Sequence, residues 1–281
     1  MRARLLAMPA ILLALSLVSH GLLAAPENGP KPGEERTAEI ADGVKMVFCW
    51  IPPGKAQLGS PKEEKNRHED EKEHEYESKG FWLGKHPVTQ AQWQALIGEN
   101  PSTFDGKKDN KAKGKDTKRF PVENVSWDGC QGFLKKLPAG AGKTLGKGKF
   151  GLPHEDEWEY ACRGGKGNKR PFYWGDKLNG KEANVDGNYP YATEDKGPYL
   201  GRTSEVGEYA KVAPHPWGLT DMSGNVWQWC DNLYSKDEKY RVLRGGSWYL
   251  FARDCRAAGR GRGAPAYRYV GFGVRLAFRL D

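Results

Sequence analysis

An apolar run at Met46-Val47-Phe48, halted by Pro52-Pro53-Gly54 and resumed at Leu58, predicts a strand, a turn and a second strand over Val44 to Gly59. Three later stretches repeat apolar residues at helical spacing. Thr89 is placed to cap a helix that buries Trp93, Leu96 and Ile97 and stops at Gly98. Ser126 caps a second, with Trp127, Cys130, Phe133, Leu134 and Leu137 on one stripe and Pro138 just beyond. A third is expected from about Glu155 to Cys162, turning Trp158, Ala161 and Cys162 inward and ending at Gly164-Gly165. Asp156, Glu157 and Glu159 sit near its start, where the helix dipole favours negative charge. Beyond it the chain is loop and short strand, punctuated by Trp174-Gly175, Trp217-Gly218, Ser223-Gly224-Asn225, Gly245-Gly246 and Gly271-Phe272-Gly273.

The first 25 residues follow another pattern. Arg2 and Arg4 precede an apolar run from Leu5 to about Val18, and Leu22-Leu23-Ala24-Ala25 closes the stretch, which reads as a cleaved secretory signal peptide over residues 1–25. Its apolar run is short for a membrane span, and no later segment could make one. Residues 26–38 are Pro-, Gly- and Glu-rich and read as a flexible linker, which leaves a folded domain over 39–281. The expected location is therefore exported, periplasmic or extracellular.

Composition supports a packed, irregular fold. Of 281 residues 36 are glycine and 10 are tryptophan, so the loops are many but pinned by large rings. The formal net charge of +8 bears on solubility rather than function. Much of it lies at Lys107, Lys108, Lys111, Lys113, Lys115, Lys118 and Arg119, which read as a solvated loop. No nucleic-acid reading element accompanies it. Pro61 to Lys79 is dense in Glu, Lys and His and likewise reads as a solvated charged loop; His68 and His74, six apart, cannot share a helical face as metal ligands. Dinucleotide, phosphate-loop and nucleophile-elbow motifs are missing, which lowers the case for nucleotide enzymes and common hydrolases. Five cysteines form no C-x-x-C unit, and in an oxidising compartment they are free to pair.

Six segments then come in a recognisable order: FWLGKHPVTQAQW from Phe81, FPVENVSWDGC from Phe120, GLPHEDEWEYACRGG from Gly151, GLTDMSGNVWQWC from Gly218, VLRGGSW from Val242, and CRAAGR closing with GFGVRLAF. Over about Val44 to Leu280 the sequence resembles the formylglycine-generating enzyme, or sulfatase-modifying factor, family. The resemblance implies a single α+β, loop-rich domain with little regular secondary structure, related to C-type-lectin-like folds. It implies structural calcium, held by Asp221, the carbonyls of Gly224 and Val226, and Gln228, where the family usually has glutamate; a second site would use Asn184, Val185 and Asp195. Hard cations suit such oxygen donors.

The family's oxidative activity needs copper on two cysteine thiolates. Here the first position after Gly-Gly-Ser is Leu250, and Cys255 aligns best with the family's structural cysteine, whose disulfide partner matches Cys162. Copper is therefore not expected. The resemblance implies a pocket around Trp227, Ser247, Trp248 and Arg256 suited to a protein, peptide or small-molecule ligand of the cell envelope. The expected function is an oxidative tailoring or accessory role without the copper site. Two alternatives stand beside it: a true formylglycine generator acting on a sulfatase cysteine, and a calcium-stabilised binding module without catalysis.

Overall fold

The computed structural model describes residues 29–281 except 108, 110, 166 and 238. The expected signal peptide 1–25, the first residues of the linker and Lys108 lie outside the described residues. The central layer is a five-stranded sheet in the order β1-β2-β5-β11-β6, antiparallel throughout. Its strands are β1 (Glu35–Ala41), β2 (Val44–Ile51), β5 (Phe81–Gly84), β6 (Gly148–Gly151) and β11 (Ala277–Leu280). Period-two alternation sends neighbouring residues to opposite faces, and here both faces are buried. Phe48, Trp50, Trp82 and Phe278 join one core cluster; Cys49, Ile51, Leu83 and Ala277 join another.

The helices cover those two faces. Helix α1 (Gln90–Ile97) starts at a Thr89 capping box with Gln92 and stops at left-handed Gly98, as the sequence indicates. Helix α2 (Trp127–Lys135) is capped by Ser126. Trp93 of α1 stacks on Phe133 of α2 with ring centroids 5.1 Å apart, against the first cluster. Helix α3 (Glu155–Arg163) is capped by His154, and it packs Trp158, Ala161 and Cys162 into the second.

A four-stranded sheet, β10-β7-β8-β9, carries the later motifs. It comprises β7 (Trp227–Leu233), β8 (Arg241–Arg244), β9 (Arg260–Gly263) and the short β10 (Phe272–Gly273), which runs parallel to β7. Strands β3 (Gly54–Leu58) and β4 (His74–Ser78) form a separate antiparallel pair. No helix among the described residues is long and apolar enough to cross a membrane.

Two expectations need correction. The folded domain begins before residue 39, because the chain is already paired with β2 from Glu35 onward and buries Ala38 and Ile40 by alternation. The charged stretch 61–79 is not a solvated loop throughout: its last part is β4, and Glu71 is buried. A carboxylate can be buried when a cation meets it, and Arg256 does so.

Candidate functional site

Strand β8 is followed by Gly245-Gly246, both at positive φ, and this turn delivers Ser247 and Trp248 beside β7. The Trp248 amide donates to the Asn225 carbonyl at 3.1 Å, and the Trp227 amide donates to Gly271 at 2.7 Å. Gly271 in turn lies against Ser247, since a Cβ there would sit 3.1 Å from the Ser247 hydroxyl oxygen. The structure thus brings Trp227, Ser247 and Trp248 together.

Around them runs a ladder of rings that the sequence reading missed. Trp248 stacks on Tyr199 at 6.3 Å and meets Tyr249 edge-on at 5.3 Å; Tyr249 meets Tyr269 at 5.5 Å, which stacks on Tyr267 at 6.2 Å. Tyr199, Tyr267 and Tyr269 are exposed, an arrangement that offers ring faces and hydroxyls to a ligand. The Tyr267-Arg268-Tyr269 triplet was the available signal. Beneath the ladder the Ser247 hydroxyl is buried without a hydrogen-bond partner. Among the described residues no base is bonded to it, so none of them activates it as a nucleophile.

Arg256 does not join this group. All its donors are engaged: Nε to the Arg253 carbonyl at 2.8 Å, Nη1 to Glu64 and to Glu71 at 2.8 Å, and Nη2 to the Asn66 carbonyl at 2.9 Å and Glu71 at 2.7 Å. It clamps the segment around Glu64–Glu71 instead of facing a ligand.

The expected Cys162–Cys255 bridge is not formed; all five cysteines are buried free thiols. Cys162 packs with Trp158 and Cys230, whereas Cys255, at the end of a 3-10 turn Ala252–Cys255, packs with Phe172, Val185 and Tyr191. Burial pushes the Cys162 thiol up to about 12 and raises that of Cys255 far above the ordinary thiol range. The Gly246 backbone seals Cys255, because a Cβ on that glycine would lie 2.3 Å from its sulfur. Leu250 is a half-buried apolar neighbour of the same cluster.

The two side chains of the first set implied for calcium are engaged elsewhere. Asp221, at φ 53°, accepts from the Gly207 amide at 2.7 Å and the Thr220 hydroxyl at 2.8 Å on Oδ2, and from Asn225 at 3.3 Å on Oδ1. Burial raises its pKa. Gln228 Oε1 accepts from Trp158 Nε1 at 2.8 Å and from Arg275 Nε at 2.7 Å, while its Nε2 donates to the Asp221 carbonyl at 2.8 Å. Both lone pairs of that amide oxygen are used and a guanidinium already stands there, so this set does not fit a calcium ion. The second set is divided between interior and surface. Asn184 is buried, bonded through Nδ2 to the Arg202 carbonyl at 3.0 Å and Asn225 at 3.2 Å, with Oδ1 unpartnered; Val185 is buried among apolar side chains, and Asp195 is exposed. Among the described residues no group of three or more His, Cys, Asp or Glu side chains is arranged to hold a metal.

Comparison with known proteins gives a consistent picture. The model of the sulfatase-modifying factor enzyme 1-like domain matches residues 35–280. The serine/threonine-protein kinase pkn1 of Chlamydia caviae is 28% identical over 83% of this chain and 38% of its own length. The inactive C-alpha-formylglycine-generating enzyme 2 of Bos taurus is 32% identical over 60% of this chain and 47% of its own. This chain therefore spans less than half the length of either. Among solved structures, variable protein 1 of Treponema denticola superposes with a TM-score of 0.66 at 26% identity, covering 87% of this chain and 99% of that one.

Proposed function

The chain belongs to the sulfatase-modifying factor enzyme 1-like family, and on that premise we propose that it is an exported accessory domain that binds a ligand on its aromatic face and does not oxidise cysteine with copper. The observation that carries this reading is the state of Cys255: one sulfur, sealed under Gly246 in an apolar cluster, with Leu250 in place of a second. Cu(I) requires soft thiolate donors, and a buried neutral thiol is a poor one. The exposed rings of Tyr199, Tyr267 and Tyr269, with exposed Arg268 between the last two, suit a peptide or an anionic small molecule of the cell envelope.

The test is a Cu(I) titration of the reduced, leaderless protein against a competing chelator, together with an aldehyde assay on a C-x-P-x-R peptide. Neither copper uptake nor aldehyde is expected. Cu(I) binding that Cys255→Ala abolishes, or any aldehyde formed in proportion to enzyme, restores the oxidase reading.

A further inference from the structure

Arg275 lies in the short connection between β10 and β11 and is completely buried. Its Nε donates to Gln228 Oε1 at 2.7 Å; Nη1 donates to the carbonyls of Gly84 and Lys85 at 2.7 and 2.8 Å; Nη2 donates to those of Thr220 and Asp221 at 2.6 and 3.2 Å. Every donor of the guanidinium thus meets an oxygen, and the five oxygens come from three separate parts of the chain: the end of β5, the segment leading into β7, and β7 itself. Four are main-chain carbonyls of the kind that hard cations use.

We infer that the Arg275 guanidinium stands at Gln228 in place of a divalent ion, closing the segment Gly218 to Gln228 onto β5 so that the domain keeps its full stability when calcium is removed. Gln228 is the residue that lets it do so. A neutral amide presents its oxygen to two N–H donors, Trp158 and Arg275, and turns its NH2 to the Asp221 carbonyl. A divalent ion at Gln228 would have to displace both donors and sit beside a fixed positive charge, which repels it in a low-dielectric interior. Burial lowers the Arg275 pKa to about 10, so the side chain remains a cation at neutral pH.

The experiment is thermal unfolding of the chelator-treated protein in excess EDTA and in millimolar calcium chloride, paired with equilibrium dialysis against calcium alone. Superimposable unfolding curves are expected. A calcium-dependent rise in the midpoint that Asp221→Asn abolishes overturns the inference; asparagine tolerates the left-handed backbone at that position, so this variant tests the carboxylate and not the turn. A rise that survives Asp221→Asn arises from other oxygens and overturns it as well, since stability would then depend on calcium. In a second arm, Arg275→Ala is expected to unfold at lower temperature and to recover in millimolar guanidinium chloride but not in sodium chloride of equal ionic strength. An Arg275→Ala midpoint equal to wild type overturns it. If that variant does not fold, the wild-type calcium comparison decides.

Discussion

Arg256 and Glu71, 185 residues apart in the chain, meet as a buried two-pronged pair, with Nη1 2.8 Å from Oε2 and Nη2 2.7 Å from Oε1. Glu64 joins from the same segment, and the Ser60 hydroxyl donates to Glu71 at 2.8 Å. Removing one member leaves a desolvated charge behind, so Glu71→Ala should cost about 3–5 kcal/mol in urea unfolding. The exposed Lys55–Glu77 pair, at 3.3 Å, is the control: Glu77→Ala should change stability by no more than about 1 kcal/mol. Equal effects at the two sites would show that Arg256 is not a clamp.

Two histidines, His215 buried and His86 half-buried, make the native state sensitive to mild acid. Desolvation is the main cause in both: it drives His86 down to about 3, helped by Arg275 and Lys85, and His215 down to about 4 against hydrogen bonding to Cys162. His215 accepts the Trp217 amide on Nδ1 at 3.1 Å, which requires the neutral ring. Below the ordinary imidazole pKa the unfolded chain binds these protons and the folded chain does not. Stability should therefore fall as pH drops from about 6.5 toward 4, by on the order of 1 kcal/mol per pH unit for each histidine. Urea midpoints from pH 7.5 to 4.5 should fall less steeply in His86→Gln, and an unchanged slope would remove His86 from the account.

At lower pH the carboxylates of α3 take over. Burial works to raise Glu155 and Glu159, but Arg244 outweighs it, with Arg260 at the first and Arg163 at the second, so both pKa values lie below the usual range. Their contribution is complete above the unfolded carboxylate pKa and is lost as pH falls through the depressed folded values. Arg244→Leu should bring acid unfolding to higher pH, read by circular dichroism across the acid range.

What could be read from the chain and what could not divides by distance in sequence. The caps of α1 and α2 and the end of α1 are local hydrogen bonds, so Thr89, Ser126 and Gly98 announce them. The meeting of Trp227, Ser247 and Trp248 follows from segments that the family motifs already mark. Glu155 and Glu159 gave no sign of sharing a cation, because Arg244 lies 85 residues beyond the second. Arg275 was invisible for another reason: four of its five acceptors are backbone carbonyls, which have no identity in a sequence. The Cys162–Cys255 bridge was inferred from resemblance alone, and the packing of α3 directs Cys162 into a different cluster.

The turn that seals Cys255 should be intolerant of any side chain. Gly246 has φ 72°, and a Cβ there would lie 2.3 Å from the Cys255 sulfur and 3.0 Å from its Cα. Gly246→Ala combines a left-handed backbone penalty of about 1–2 kcal/mol with overpacking of about 1–3 kcal/mol. The expected loss, about 2–5 kcal/mol in denaturant unfolding, should be only partly relieved by adding Cys255→Ala, because the backbone contact persists.

The same packing governs thiol chemistry. All five cysteines are buried and unbridged, and for those with raised pKa values burial is the leading cause, so the reactive thiolate is suppressed at neutral pH. A disulfide-exchange reagent added to the native protein without reductant should label no cysteine on the timescale of minutes, and it should label all five once denaturant is present. Labelling in the native state should then track global unfolding, since each sulfur lies in the interior, with the same dependence on denaturant for Cys255 as for Cys162. Fewer than five thiols in the denatured protein would reveal a bridge. Fast native labelling confined to Cys255 would show that the Gly246 turn opens on its own, and copper chemistry at that sulfur would have to be reconsidered.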